Sequence, residues 1–293
     1  MAINIEQVKR RRTTAQPRRP NFHRLKRHHP ILKTLFLAMI GILIVTGAVI
    51  YGNHTQWQTA QKVQKASHKA VAKAKQQPVV KASQVKQVAA QKSVKPDYSG
   101  TGGLSSKEDM LKLAQSNQAE ILRGHVAVPS FSISEPIYEG TSNHVLAIGA
   151  GMNAPNLKFG TGLVPIFAHN MGDYNAVWPY HPTKFSALQN MTEKTIIGKN
   201  IYLSDGHTVY RYKATKLDYG IAVGVMDQEL AVENTGKPKV KLIACLEDQE
   251  FWQQVKASHY TNFTAKKRIV LTGELVDQQS FNSLDSSLKK QLQ

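Results

Sequence analysis

The chain has 293 residues, 41% of them hydrophobic, and a formal charge of +18. Residues 1–30 carry a net +8, Lys33 adds one and residues 52–96 add nine lysines without an acid, which leaves residues 97–293 neutral. The charge belongs to a tail and a linker, so composition gives no reason to expect a nucleic-acid partner, and one cysteine excludes an internal disulfide.

Residues 1–33 form a basic tail. The run TLFLAMIGILIVTGAVIY at 34–51 has no charge, and a span of 34–52 reads as a transmembrane anchor flanked by Tyr51 and Trp57. A long basic leader and no small-x-small cleavage site behind it favour an uncleaved anchor. The positive-inside rule puts the tail in the cytoplasm and the rest outside a plasma membrane.

Residues 53–102 are rich in Lys, Gln and Ala and read as a solvated, self-repelling stalk. The folded domain is expected over 103–279, with a C-terminal tail at 280–293. Its first element is a helix capped by Ser105 or Ser106, with Met110, Leu111, Leu113, Ala114, Ile121 and Leu122 as its apolar stripe, ending near Arg123 and Gly124. Short strands follow at 126–130, 133–138, 162–167, 199–203, 209–216, 240–245 and 268–276. Asp205 and Gly206 mark a hairpin, and a short helical piece falls at 184–191. The fold class is therefore all-β dominated, a closed barrel or a sandwich.

The only cysteine lies in the run Lys-Val-Lys-Leu-Ile-Ala-Cys at 239–245. With period two, Val240, Leu242 and Ala244 share one face; Lys239, Lys241, Ile243 and Cys245 share the other. Two lysines make that second face partly wet. Arg268 opens another alternating run, with Thr272 and Glu274 on its polar side. His169 ends the apolar run 163–168. Cysteine, histidine and arginine at strand ends are the parts of a thiol acyl-transfer site.

The order of these motifs resembles the class A sortases. Val-Pro-Ser-Phe-Ser-Ile-Ser-Glu-Pro-Ile-Tyr at 128–138 with Ala-Ile-Gly-Ala-Gly-Met at 147–152 is similar to the opening of that domain. Ala-His-Asn at 168–170 resembles its histidine motif, Leu-Ile-Ala-Cys at 242–245 its cysteine strand, and Lys-Arg-Ile-Val at 267–270 its arginine strand. The resemblance implies an eight-stranded β-barrel with short helices behind a transmembrane helix. It implies Cys245 as nucleophile, His169 as general acid and Arg268 as oxyanion donor, with Ala168, Ile243 and Ala244 near the substrate. The implied partners are surface proteins bearing a Leu-Pro-x-Thr-Gly signal, a peptidoglycan precursor (lipid II) whose amine accepts the acyl group, and the plasma membrane. No cofactor is implied.

Ala244 departs from the threonine usual in the family, and Asn170 stands where many relatives have a second histidine. The segment 151–158 has no carboxylate, so no calcium site is expected there. A loop between Tyr219 and Pro238 is expected to shape the pocket. The loop 246–267, with Phe251, Trp252 and Tyr260, reads equally as a lid or as a helix packing its own aromatics. His125, His144, His181, His207 and His259 lack metal-ligand spacing and are expected at the surface or hydrogen-bonded. Two other enzyme classes fit worse: an L,D-transpeptidase expects Ser-x-Gly-Cys, and a papain-like protease puts its cysteine on a helix ahead of the histidine. A catalytically dead wall-binding domain is the non-enzyme alternative.

Overall fold

A computed structural model of the chain describes residues 30–100, 107–170, 183–231, 236–259 and 262–293. Residues 1–29 of the basic tail, the helix cap at Ser105 or Ser106, His181 and Tyr260 lie outside these residues. The chain divides into two compact units, residues 1–50 and 51–293. Helix α1 (Pro30–Ala74) begins in the first. Its stretch Lys33–Tyr51, 19 residues of mean hydropathy 2.4, is long and apolar enough to cross a membrane, and none of it is buried.

The second unit holds the rest of α1, then α2 (Val85–Gln91) and α3 (Lys107–Gln115), and then the barrel. Strands β1 (Leu122–Val128) and β2 (Ile133–Glu139) are followed by α4 (Asn143–Ile148), β3 (Ala150–Met152) and β4 (Leu163–Phe167). Next come α5 (Glu193–Ile196), β5 (Asn200–Ser204), β6 (Thr208–Ala222) and α6 (Met226–Ala231). Strand β7 (Lys239–Cys245), α7 (Gln249–Ala257), β8 (Lys267–Ser280) and α8 (Ser286–Gln291) complete the chain.

The eight strands close in the order β1-β2-β3-β4-β7-β8-β6-β5, with β5 returning to β1. Pairs β2–β3 and β4–β7 are parallel and the others antiparallel. Alternation along each strand fills the interior: Val126 and Val128, Val164 and Ile166, Leu203, Tyr212, Val240 and Leu242, Ile269 and Leu271 form one buried cluster. The β5–β6 hairpin turns through Asp205 and Gly206, where Gly206 takes φ +85° and the Asp205 carboxylate accepts from the Thr208 amide at 2.7 Å.

Three sequence expectations change. Helix α3 ends at Gln115, and Leu122 to Gly124 belong to β1, because two adjacent apolar residues carry no period of their own. Gly124 sits at a register shift with φ +153°, where a Cβ would lie 2.1 Å from the Ser204 carbonyl oxygen.

The supposed stalk is not solvated along its length. Val63, Ala70 and Ala74 of α1 are buried, as are Val80 and Val85, which pack with Ile121. The Val80 amide donates to the Leu122 carbonyl at 2.8 Å, and Arg123 Nε donates to the Val80 carbonyl at 2.9 Å while its guanidinium pairs with buried Glu139. The apolar stripe is made mostly of alanine between lysines and glutamines, so its hydrophobic signal is weak. Residues 280–293 are not a free tail either: Phe281, Leu284, Leu288 and Leu292 pack on Ala127 and Val209 of the barrel's outside.

Candidate active site

Strand register brings three sequence-predicted residues into one row. Phe167 of β4 pairs in parallel with Ile243 of β7, and the Ala168 amide donates to the Ile243 carbonyl at 3.1 Å. Two residues on from that pair, His169 and Cys245 end the same two chains on the same face. On the other side of β7, Cys245 pairs directly with Arg268 of antiparallel β8, so those side chains also project together. Histidine, cysteine and arginine thus occupy three adjacent strand ends on the barrel's outer face. Neighbouring strands lie about 4.8 Å apart.

That face is drier than the lysines suggested. Lys241 is 3% exposed and sends Nζ to the Glu229 carbonyl of α6 at 3.3 Å. Met226 and Leu230 of α6 cover Ile243, Val270 and Phe167. Arg268, expected on a wet side, is 4% exposed, with Nη1 donating to the Ala265 carbonyl at 2.9 Å and the Lys267 carbonyl at 3.1 Å. Cys245 is half-buried.

The loop 246–267 carries α7, whose N-terminus is capped by Asp248 accepting from the Phe251 amide at 2.9 Å. Phe251 and Val255 pack with Ala265, and Cys245, Trp252 and Phe263 lie against them. Of the two expectations, the small helix packing its own aromatics is the one formed. Lys267 holds it to β8 through Asp248 and Glu250, each at 2.9 Å.

Electrostatics follow from this burial. Desolvation pushes the Cys245 thiol above its ordinary value; Arg268 opposes that and Glu247 adds to it. Desolvation lowers the His169 imidazole to about 4, helped by the positive charges of Lys184 and Arg268. At neutral pH the resting pair is a thiol and a neutral imidazole. His169 is 5% exposed, and among the described residues its Nε2 has no hydrogen-bond partner.

Asn170, singled out from sequence only as a departure from the family, supports this row together with side chains that the sequence reading missed. Asn170 Nδ2 donates to the Cys245 carbonyl at 3.0 Å and to Gln189 Oε1 at 2.9 Å; the same oxygen accepts from the Glu247 amide at 3.1 Å. Buried Lys184 reaches Glu135 at 3.4 Å, and the next residue, Phe185, donates its amide to the His169 carbonyl at 3.1 Å. Of the missed side chains only Glu135, an acid inside the apolar run of β2, left a trace of its own in the sequence.

Of the expected substrate-binding residues, Ile243 is on the outer face beneath Met226, but Ala168 and Ala244 pack into the barrel interior. Their methyl groups therefore face away from the row, and the departure at Ala244 changes the core rather than the groove. Among the other histidines, His144 meets Glu120 at 2.8 Å, His207 and His259 are exposed, and His125 is buried, contrary to the surface expectation.

The barrel and its single row of thiol, imidazole and guanidinium define a class, and the sortase domain family matches residues 126–276. The chain belongs to the sortase family, whose members are cysteine transpeptidases. It is similar to sortase A of Bacillus anthracis, 27% identical over 59% of this chain and 70% of that protein. Sortase A of Streptococcus agalactiae serotype III (strain NEM316) is 23% identical over 66% of this chain and 68% of its own length. The crystal structure of Listeria monocytogenes sortase A aligns at a TM-score of 0.42, with 24% identity over 58% of this chain and 94% of that one.

Proposed function

We propose that this chain is a membrane-anchored transpeptidase that cuts Leu-Pro-x-Thr-Gly signals between Thr and Gly and joins the new carboxyl end to an amine of a peptidoglycan precursor. In this reading residues 1–33 are cytoplasmic, 34–52 span the plasma membrane and the barrel works outside. The observation that carries it is the row His169–Cys245–Arg268 across three adjacent strand ends.

The Cys245 sulfur attacks the threonyl carbonyl carbon as its proton passes to the neighbouring imidazole. Arg268, its guanidinium fixed by two backbone carbonyls, stabilises the developing oxyanion. His169 returns the proton to the departing glycyl nitrogen as the C–N bond breaks, leaving a thioester. The acceptor amine then attacks that thioester, its proton passes through the neutral imidazole to the departing sulfur, and the thiol is regenerated. Apolar cover from α6 and α7 limits water near the thioester, which favours aminolysis over hydrolysis.

The test is incubation of the full chain with a Leu-Pro-x-Thr-Gly peptide and hydroxylamine. The threonyl hydroxamate is expected with wild type and absent with Cys245→Ala. No hydroxamate from any such peptide contradicts the reading and favours a binding domain.

A further inference from the structure

A cavity of about 910 Å³ lies in the second unit, between the C-terminal turns of α1 and the connection from α3 to β1. Its basic side is formed by Lys62, Lys65, Lys69, Lys73 and Lys92. All five are exposed, and among the described residues none is engaged in an ion pair. The first four recur at steps of three and four on α1, so they form one row, about 16 Å long at 1.5 Å per residue. The row persists because Val63, Ala70 and Ala74 on the adjoining stripe are buried, fixing the rotation of the helix.

Against these five positive charges the cavity wall offers one carboxylate, Glu120, and that is occupied by His144 Nδ1 at 2.8 Å. His144 is 3% exposed, lines the cavity, and among the described residues its Nε2 has no hydrogen-bond partner. Gln77 Oε1 is a second buried, unpartnered atom on a cavity-lining residue. Gln77 Oε1 is an acceptor, and His144 Nε2 is the one ring nitrogen that Glu120 leaves open. Buried polar groups left without partners are costly, so both atoms call for a hydrogen-bonding partner.

We infer that this cavity binds a soluble, hydroxylated phosphodiester chain, phosphates lying along the Lys62–Lys73 row and hydroxyls, which both donate and accept, meeting His144 Nε2 and Gln77 Oε1. Ammonium groups act as point charges and suit phosphate oxygens without the planar fork that guanidinium offers to carboxylates. The length of the row fits several successive anions rather than one. The concave wall concentrates the field of the lysines at the ligand. Neither Cys245, His169 nor Arg268 lines the cavity, so binding here is independent of the proposed acyl transfer. A bound polymer would hold the lysine-rich segment, and the enzyme with it, against an anionic surface.

The experiment uses the full chain in nanodiscs of zwitterionic lipid, titrated calorimetrically with a short poly(glycerol phosphate). Binding that weakens steeply with salt is expected, as in other polyanion complexes. Lys65→Gln with Lys69→Gln should weaken it by about tenfold, and His144→Gln by about threefold. Peptide turnover without the polymer should be unchanged in the lysine variant, which separates this inference from the proposed activity. Inorganic phosphate and poly-L-glutamate should each bind at least about tenfold more weakly. Absent binding, equal binding of polyglutamate, or insensitivity to the lysine substitutions overturns the inference. So does loss of polymer binding in nanodiscs doped with phosphatidylglycerol, which assigns the site to lipid headgroups instead.

Discussion

At the ends of β4, β7 and β8, three ionisable side chains sit under largely apolar cover from α6 and α7, two of them about 5% exposed or less. Along residues 62–73 of α1, four lysines are all exposed, while Val63, Gln64, Ser67 and Ala70 between them are buried. The first region gains its effect from burial: desolvation moves a thiol up and an imidazole down, so a few groups act strongly on one another. The second works by number, since each exposed ammonium is screened and weak alone. On the proposed function and the further inference, chemistry belongs to the first arrangement and adhesion to the second, so substitutions should behave differently in the two places.

Arg268→Lys should show the largest effect. Lysine keeps the charge but loses the fork held by the Ala265 and Lys267 carbonyls, so kcat/KM should fall by about 10²–10³. Circular dichroism checks that the barrel survives, which matters because Arg268 is buried. Unchanged kinetics in a folded variant remove it from the chemistry.

Acid comes next. The folded-state pKa of His169 is about 4, as is that of His125, which burial lowers with help from Lys75. Both lie below the unfolded value near 6.5. The unfolded chain therefore takes up protons first as pH falls. The stability these groups supply is complete above about 6.5 and lost toward 4, at up to about 1.4 kcal/mol per pH unit for each histidine. Urea midpoints at pH 7 and pH 5 should show the fall, and His125→Gln should remove about half of this contribution. A midpoint that does not move between those pH values contradicts the burial of neutral imidazoles.

Asn170→Ala should cost about tenfold in kcat/KM, because the Cys245 carbonyl and Gln189 lose a shared donor and the strand end loosens. A KM change alone would point to substrate contact instead.

The smallest effect on turnover belongs to the other region. Ala74→Asp puts a carboxylate into a fully buried site against Leu122 and Tyr138, so the melting temperature should fall by several degrees. Turnover of a soluble peptide should stay within about twofold. A loss of activity as large as that of Arg268→Lys would erase the distinction between the two regions.

The same contrast explains what the sequence could disclose. Period-two alternation in β7 and β8 is a local signal, and it correctly separated Val240, Leu242 and Ala244 from Ile243 and Cys245. It could not say that the outer face would be covered, since α6 reaches Lys241 and Ile243 from another part of the chain. The docking of residues 62–91 was hidden for a related reason. Its contacts are alanines and valines with the hydrogen bonds of Val80 to Leu122 and Arg123, and tertiary partners set them rather than composition. Lys184 and Gln189 fall in the short helical piece expected at 184–191, where Ser186–Asn190 form a 3-10 helix, but that pattern could not say which of its side chains reach the site.

The most direct test of the central claim is intact and peptide mass spectrometry of the full chain quenched during turnover of a Leu-Pro-x-Thr-Gly peptide. The account predicts one acyl adduct ending in threonine, on the peptide containing Cys245, released by hydroxylamine and absent from Cys245→Ala. Cleavage that continues at the wild-type rate in Cys245→Ala, with no adduct on the wild-type sulfur, would contradict it.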